Sequence, residues 1–311
     1  MLSRTAASLY WLGRYAERAD FSARLIEATV RLDALSTRPA GSAAWASALN
    51  VIDAGEAFAA LGKHVEQRHV APFLLCSPDH PGSIWRCLEA ARTNARAVRM
   101  ALSRESWSAI NNAWLRVSTG GVPKDGAGLL ALLEGVHSSA LSLTGAIERM
   151  LKHPSSMFMR LGGAIERVDN TARLLDVKYH ILLPEEEVVG GVLDRDQWTT
   201  ILQTVSAVNA YRFLYSGGLN ARNVIEFLVL RPELPRSLIA GAQEALEQLQ
   251  HIAEVTHNFS AADSLAMTRL AVLRRLKVDA IIGEGLHEYL EDFIEQNAAL
   301  DQAISTQFRF F

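Results

Sequence analysis

Two stretches of this sequence carry carboxylates and guanidinium groups at helical spacing. "LGRYAERADFSARLIE" at 12–27 and "LGGAIERVDNTARLLD" at 161–176 agree at eight of sixteen positions: Leu12/Leu161, Gly13/Gly162, Glu17/Glu166, Arg18/Arg167, Asp20/Asp169, Ala23/Ala172, Arg24/Arg173 and Leu25/Leu174. At 100° per residue Glu17, Asp20, Arg24 and Glu27 fall within less than a quarter turn of a helix. Glu166, Asp169, Arg173 and Asp176 occupy the same arc of the second copy. Carboxylates set among arginines suit two kinds of work. They can grip a substrate or share a proton, which makes Glu17 and Glu166 the candidate catalytic acids or bases. They can also form a buried ion-pair network that fixes register between two helices.

Apolar residues flank the stripe on both sides, with Leu12, Ala16, Ala19, Ala23 and Ile26 on one and Phe21, Leu25 and Leu32 on the other. A stripe so flanked is expected to be buried, and buried charges need partners. Spacing supplies Asp20 with Arg24, and Arg24 with Glu27, on one helix. The two copies can supply the rest by facing each other across a pseudo-twofold axis, carboxylate to guanidinium. Two further side chains are in reach of such a seam. His180 stands one turn beyond Asp176 and is placed to act as an acid or base beside carboxylates. Arg212 is a candidate to bind a carboxylate or to pair with a seam acid.

The elements that must hold these residues are helices. Apolar residues recur at helical spacing along the chain, and breakers such as "CSPDHPGS" at 76–83, "STGGVPKDGAG" at 118–128 and "YSGGLN" at 215–220 separate the periodic segments. This predicts an all-α, multi-helix bundle of about ten helices and no strand, with "VIEFLVL" at 224–230 read as a short buried helix. Ser3, Ser155 or Ser156, and Asp194 or Asp196 are the expected helix caps. The sequence repeat suggests one domain over 1–311 with an internal duplication and pseudo-repeats around 1–153 and 154–311.

Composition bounds the function. Among 311 residues 49% are hydrophobic and 21% charged, the net charge is −3, and basic residues are scattered among acids. That balance points away from nucleic acid. Cys76 and Cys87 are too few for a disulfide framework, the opening residues do not read as a signal peptide, and no unbroken apolar run approaches bilayer length. The expectation is a cytoplasmic protein with no membrane partner. No GxSxG, P-loop or GxGxxG occurs, so no hydrolase elbow or bound nucleotide is expected. Glu66/His69, Glu134/His137 and Glu254/His257 have the Glu-x-x-His spacing of di-metal bundles. Gly135 follows Glu134, and His69 and His257 read as near helix C-termini, so no metal and no cofactor is expected. His287-Glu288-x-x-Glu291 lacks a zincin's second histidine. Both cysteines read as small buried hydrophobes, and the series Arg86, Arg92, Arg96, Arg99 and Arg104 reads as a solvated basic face.

Four blocks in order carry a family resemblance: "LYWLGRYAERADFSARLIEA", "FMRLGGAIERVDNTARLLDVKYHILLP", "AYRFLYSGGLNARNVIEFLVLRPELPRSL" and "GLHEYLEDFI". Together they resemble the bacterial alpha-E domain family over essentially the whole chain. The resemblance implies an all-helical fold and genes encoded beside ATP-grasp-type amidoligases and transglutaminase-like peptidases. It implies a part in making, modifying or trimming a peptide, and does not name a reaction. The family motif carries onto Glu17, Arg18, Asp20 and Arg24, and onto Glu166, Arg167, Asp169 and Arg173; Asp176, His180, Arg212 and Asn223 lie in resembling blocks. One departure stands out: Gly163 occupies the place of Arg14. Two readings follow. One is a helical accessory or scaffold protein working with an ATP-grasp-type amidoligase or peptidase. The other is an enzyme whose Glu/Asp/Arg seam binds and processes a carboxylate-bearing peptide or amino acid, with Arg18, Asp20, Arg24, Glu27, Arg167, Asp169, Arg173, Asp176 and Arg212 as binding residues.

Overall fold

Two long helices that share the repeated sequence form the centre of the bundle. In this computed structural model, which describes residues 2–35, 41–123, 125–180 and 191–310, α1 spans Ser3–Leu35 and α8 spans Pro154–His180. At 178–180 only the helical backbone is described. No other pair of elements packs as extensively as these two. The reason lies in their glycines. A Cβ on Gly13 would overlap the Met159 carbonyl oxygen, and one on Gly162 would overlap the Tyr10 carbonyl oxygen. Met159 stands to Gly162 as Tyr10 stands to Gly13, so this is one contact made twice. The helices therefore run side by side in the same direction and in register, backbone against backbone, as only residues without a side chain permit.

Around this pair lie α2 (Gly41–Val51), α3 (Gly55–Ala59), α4 (Gln67–Cys76), α5 (Ile84–Ala97), α6 (Arg104–Gly120) and α7 (Gly126–Glu148). After α8 come α9 (Val192–Thr204), α10 (Val208–Leu214), α11 (Ala221–Leu230), α12 (Leu238–Thr256), α13 (Ala261–Arg275), α14 (Val278–Glu284) and α15 (Leu286–Phe308). The class is all-α as expected, with no strand among the described residues. The described residues form fifteen helices rather than about ten, and three of them, α3, α10 and α14, are only five to seven residues long. The "VIEFLVL" run is the buried helix α11. Some caps differ from expectation: α8 begins on Pro154, whose fixed φ suits a first helical position, and Asp194 lies inside the first turn of α9, behind Gly191.

α5 and α7 flank α1, while α12 and α15 flank α8. Three apolar clusters result, and α1 contributes to all of them. Near the C-terminus two rings dock back on the bundle: Phe308 meets Phe158 at 4.9 Å and Phe310 meets Tyr10 at 5.4 Å. Arg269 of α13 donates to Asn297 Oδ1 of α15 at 2.8 Å, and Asn297 donates to the Ile165 carbonyl of α8 at 3.0 Å. This stitches three helices through one buried polar chain. By length and composition α7 is the one helix among the described residues apolar enough to cross a membrane. Its Leu129, Leu133 and Val136 pack in the same core cluster as Ala19, Ala23 and Ile26 of α1.

The glycine contact makes an opposed prediction for neighbouring positions. Gly13→Ala or Gly162→Ala must push α1 from α8, and is expected to cost about 1–3 kcal/mol, as overpacked sites do. Gly163→Ala meets nothing nearer than Arg167 Nη2 at 3.9 Å. It should be neutral or stabilising by up to about 1 kcal/mol through helix propensity. Urea midpoints at constant m-value read both.

Candidate functional site

Parallel, in-register packing decides where the charges go. Each Glu-Arg pair of the repeat meets the other crosswise. Arg18 donates to Glu166 through Nε at 2.6 Å and Nη2 at 3.0 Å, and Arg167 reaches Glu17 through Nη2 at 3.2 Å. A second arginine completes each glutamate. For Glu166 it is Arg14, at 2.8 Å; for Glu17 it is Arg236, at 2.6 Å, from the connection between α11 and α12. Each side then runs out to an acid on a flanking helix. Arg14 pairs with Asp301 of α15 at 2.9 Å, and Arg167 pairs with Glu244 of α12 at 2.8 Å. Tyr10 also donates to Asp301.

These pairs shift the titration of the glutamates. Burial opposes ionisation of Glu166, yet Arg18 and Arg14 hold it below the usual carboxylate range. Burial likewise opposes ionisation of Glu17, which Arg236 and Arg167 hold well below that range. Both are ionised at neutral pH and saturated with donors. The Glu166 side is closed, its side chain 2% exposed.

The Glu17 side opens on a cleft of about 390 Å³ between α1, α7, α8 and the start of α12. Its origin is visible in the repeat. Where α1 carries Arg14, whose side chain fills the closed side, α8 carries Gly163, which lines the cleft. Deeper along the wall, Asp20 binds three groups. Arg24 Nε and Arg236 Nη2 both donate to its Oδ2 at 2.9 Å, and His137 Nδ1 lies 2.8 Å from Oδ1. Arg24 also donates through Nη1 to the hydroxyl of Ser206, a residue in left-handed backbone at φ 55° between α9 and α10. Burial, and then the proximity of Arg236, lower the Arg24 pKa.

Of the sequence candidates, Glu17, Asp20, Arg24 and Arg167 join one ion-pair cluster, Arg18 and Glu166 join a second on the other side, and the rest enter neither. Glu27 pairs along its own helix with Arg31 rather than with Arg24. Asp169 pairs with Arg173 at 2.7 Å, echoing Asp20 and Arg24 without their outside partners. Asp176 contacts His287 Nδ1 at 2.6 Å, where a different, smaller cavity lies beside Arg173. Arg212 is exposed on α10 and forms no ion pair among the described residues; Arg236 fills the role considered for it. The side chain of His180 lies outside the described residues. Asn223 only receives the cap of Asn220.

Sequence reasoning missed Arg236, Glu244, Asp301 and the role of His137. Arg236 stands in a quoted block, "RPELPRSL", but nothing local separates it from a surface arginine. His137 was weighed only as a metal ligand with Glu134. His69 lies in the first turn of α4 rather than near a C-terminus, whereas His257 is a left-handed C-cap, as its position suggested. Cys87 is buried, and burial pushes its thiol up to about 12, which suits an inert packing residue.

With this geometry in view, comparison with known proteins gives three findings. Residues 1–309 match the Alpha-E family, described as a predicted alpha-helical domain with a conserved ER motif. Over 260 residues the chain is 29% identical to an uncharacterized protein of Mycobacterium bovis and to one of Mycobacterium tuberculosis. That alignment covers 76% of this chain but 28% of each relative, so the chain spans under a third of their length. No solved structure matches.

Two predictions follow from the crosswise pairs. Glu166→Gln leaves buried Arg14 with Asp301 alone and half-buried Arg18 without an ion-pair partner among the described residues, and should destabilise the fold by up to about 3–5 kcal/mol, the range for broken buried pairs; calorimetric Tm measures it. The second concerns acid. Both glutamates titrate lower in the folded state than in the unfolded chain, whose carboxyls protonate near pH 4.3. Their contribution is therefore fully present above that pH and lost as pH falls toward the lowered values. Urea midpoints should drop between about pH 5 and about pH 2, and Glu17→Gln should flatten the drop.

Proposed function

Because the chain belongs to the Alpha-E family, we propose that it is a helical accessory protein, acting with an ATP-grasp-type amidoligase or a transglutaminase-like peptidase in making or modifying a peptide. The observation that carries this reading is the saturation of the seam. Glu17 and Glu166, the residues best placed for acid or base work, are each held by two arginines and stay ionised far below neutral pH. A general base works best with a pKa near the operating pH and with a free lone pair facing substrate. Neither glutamate has both. What the paired arginines do instead is lock two helices in register, which suits a rigid body that presents a surface or a bound segment to a partner. The relatives support a modular role, since this chain corresponds to 28% of their length and the remainder supplies further polypeptide beside it.

Tagged protein at native level, recovered from its own cells, should bring down an ATP-grasp-type ligase or a peptidase in near-equal amount. The partner's activity should then rise on adding the wild-type chain, and a Glu166→Gln chain should lose this effect in step with its loss of stability. Recovery of the protein alone would sink the accessory reading. So would a Glu17→Gln variant that keeps its fold and partner but loses activity by orders of magnitude, because that is the signature of an active site.

A further inference from the structure

The cleft on the Glu17 side has no counterpart on the closed side, and its wall carries unmet donors. Asp20 Oδ2 is shared by two guanidinium groups. Among the described residues Arg24 Nη2 and Arg236 Nε have no hydrogen-bond partner, since the bonds to Asp20, Glu17 and Ser206 use the other nitrogens. The Ser206 hydroxyl accepts from Arg24, which leaves its own hydrogen to donate. The lining also holds aliphatic and thioether surface from Leu141, Ile147 and Met159. Leu141 is 57% exposed, a large apolar side chain left facing open space.

We infer that this cleft binds a carboxylate group attached to a short aliphatic segment, seated between Arg24, Arg236 and the Ser206 hydroxyl, with its apolar part against Leu141 and Met159. Four features fix the class. The donors are guanidinium groups, whose planar geometry matches a carboxylate. Burial and Arg236 both disfavour the charge on Arg24, so an incoming anion relieves a strain already present. The four arginines of the cleft wall are matched by Glu17, Asp20, Glu148 and Glu244, which favours a singly charged group over a phosphate dianion. A volume of about 390 Å³ fits a fragment the size of a dipeptide. Gly163 is what makes room: a side chain there would point into the cleft, as Arg14 fills the equivalent space opposite. Binding of such a group is a property of the isolated chain, whichever partner it serves.

A peptide's free C-terminus and an acidic side chain both present this chemistry. Calorimetric titration of the purified protein separates them. N-acetyl-Ala-Leu would be compared with its amide, and N-acetyl-Ala-Glu-amide with its Gln counterpart. Binding with Kd between about 10 µM and 1 mM is expected for at least one acid and for neither neutral form. Preference for N-acetyl-Ala-Leu assigns a C-terminus, and preference for the Glu peptide assigns a side chain. Gly163→Leu fills the cleft without removing a charge, its Cβ meeting only Arg167 Nη2 at 3.9 Å, and should abolish binding while helicity and Tm hold. Arg24→Gln should weaken binding at least about tenfold, in line with one charge-assisted hydrogen bond. No binding by either acid at about 10 mM, inorganic phosphate binding as tightly as the acids, or full affinity in Gly163→Leu would each overturn the assignment.

Discussion

Two helices that touch backbone to backbone cannot keep charged side chains out of each other's way. Gly13 and Gly162 bring α1 and α8 so close that the residues one turn on, Glu17 with Arg18 and Glu166 with Arg167, are carried into the shared interface. There they must be neutralised, because an isolated buried charge costs far more than the packing around it returns. The rest of the architecture follows from that demand. α15 arrives with Asp301, α12 with Glu244, and the turn before α12 with Arg236. Each of these three elements carries one charge that the central pair requires.

An ion-pair core of this kind sets geometry more than it adds stability. Replacing a buried network wholesale by apolar residues is often neutral or favourable, whereas deleting one member is severe. What crosswise Glu-Arg pairs provide is register: a shift of one helix by a single turn would set Glu17 against the wrong position of α8 and strand four charges. The glycine contact adds a second constraint of the same sign, since Gly13 fits only beside Met159 and Gly163. Apolar side chains alone, which slide and repack with small penalties, would fix the pair less well.

The central pair was legible in the sequence because its signals are local and doubled. The repeat, the helical arc of charges and the idea of carboxylate facing guanidinium all rest on spacing within sixteen residues. The helical class was legible for the same reason. Partners drawn from elsewhere were not. Arg236 and Asp20 are joined across 216 positions, and no local pattern marks Arg236 as buried. The repeat also misled where its charges continue but its surroundings do not. Asp169 and Arg173 copy Asp20 and Arg24, yet Asp169 meets only Arg173 among the pairs described, while Asp20 meets Arg236 and His137 as well. Helix count was underestimated because helices as short as α3 leave too few residues for periodicity to register.

One mismatch between the two stretches, Arg14 against Gly163, carries the asymmetry of the site. Arg14 and Gly163 hold equivalent positions, and the network balances both sides by different means: an arginine on the helix itself, or Arg236 brought from 219 residues beyond Glu17. The second solution neutralises Glu17 from a different direction, which leaves the volume of the missing side chain empty and its walls lined with donors. Had both positions been arginine, both sides would be filled and the bundle would be an inert strut. With glycine at one of them, the charge balance is kept and a cleft is gained beside the most highly charged part of the core. The helix lock and the cleft are therefore two consequences of one arrangement, in which the same arginines hold α1 against α8 and face outward with hydrogen-bonding capacity to spare.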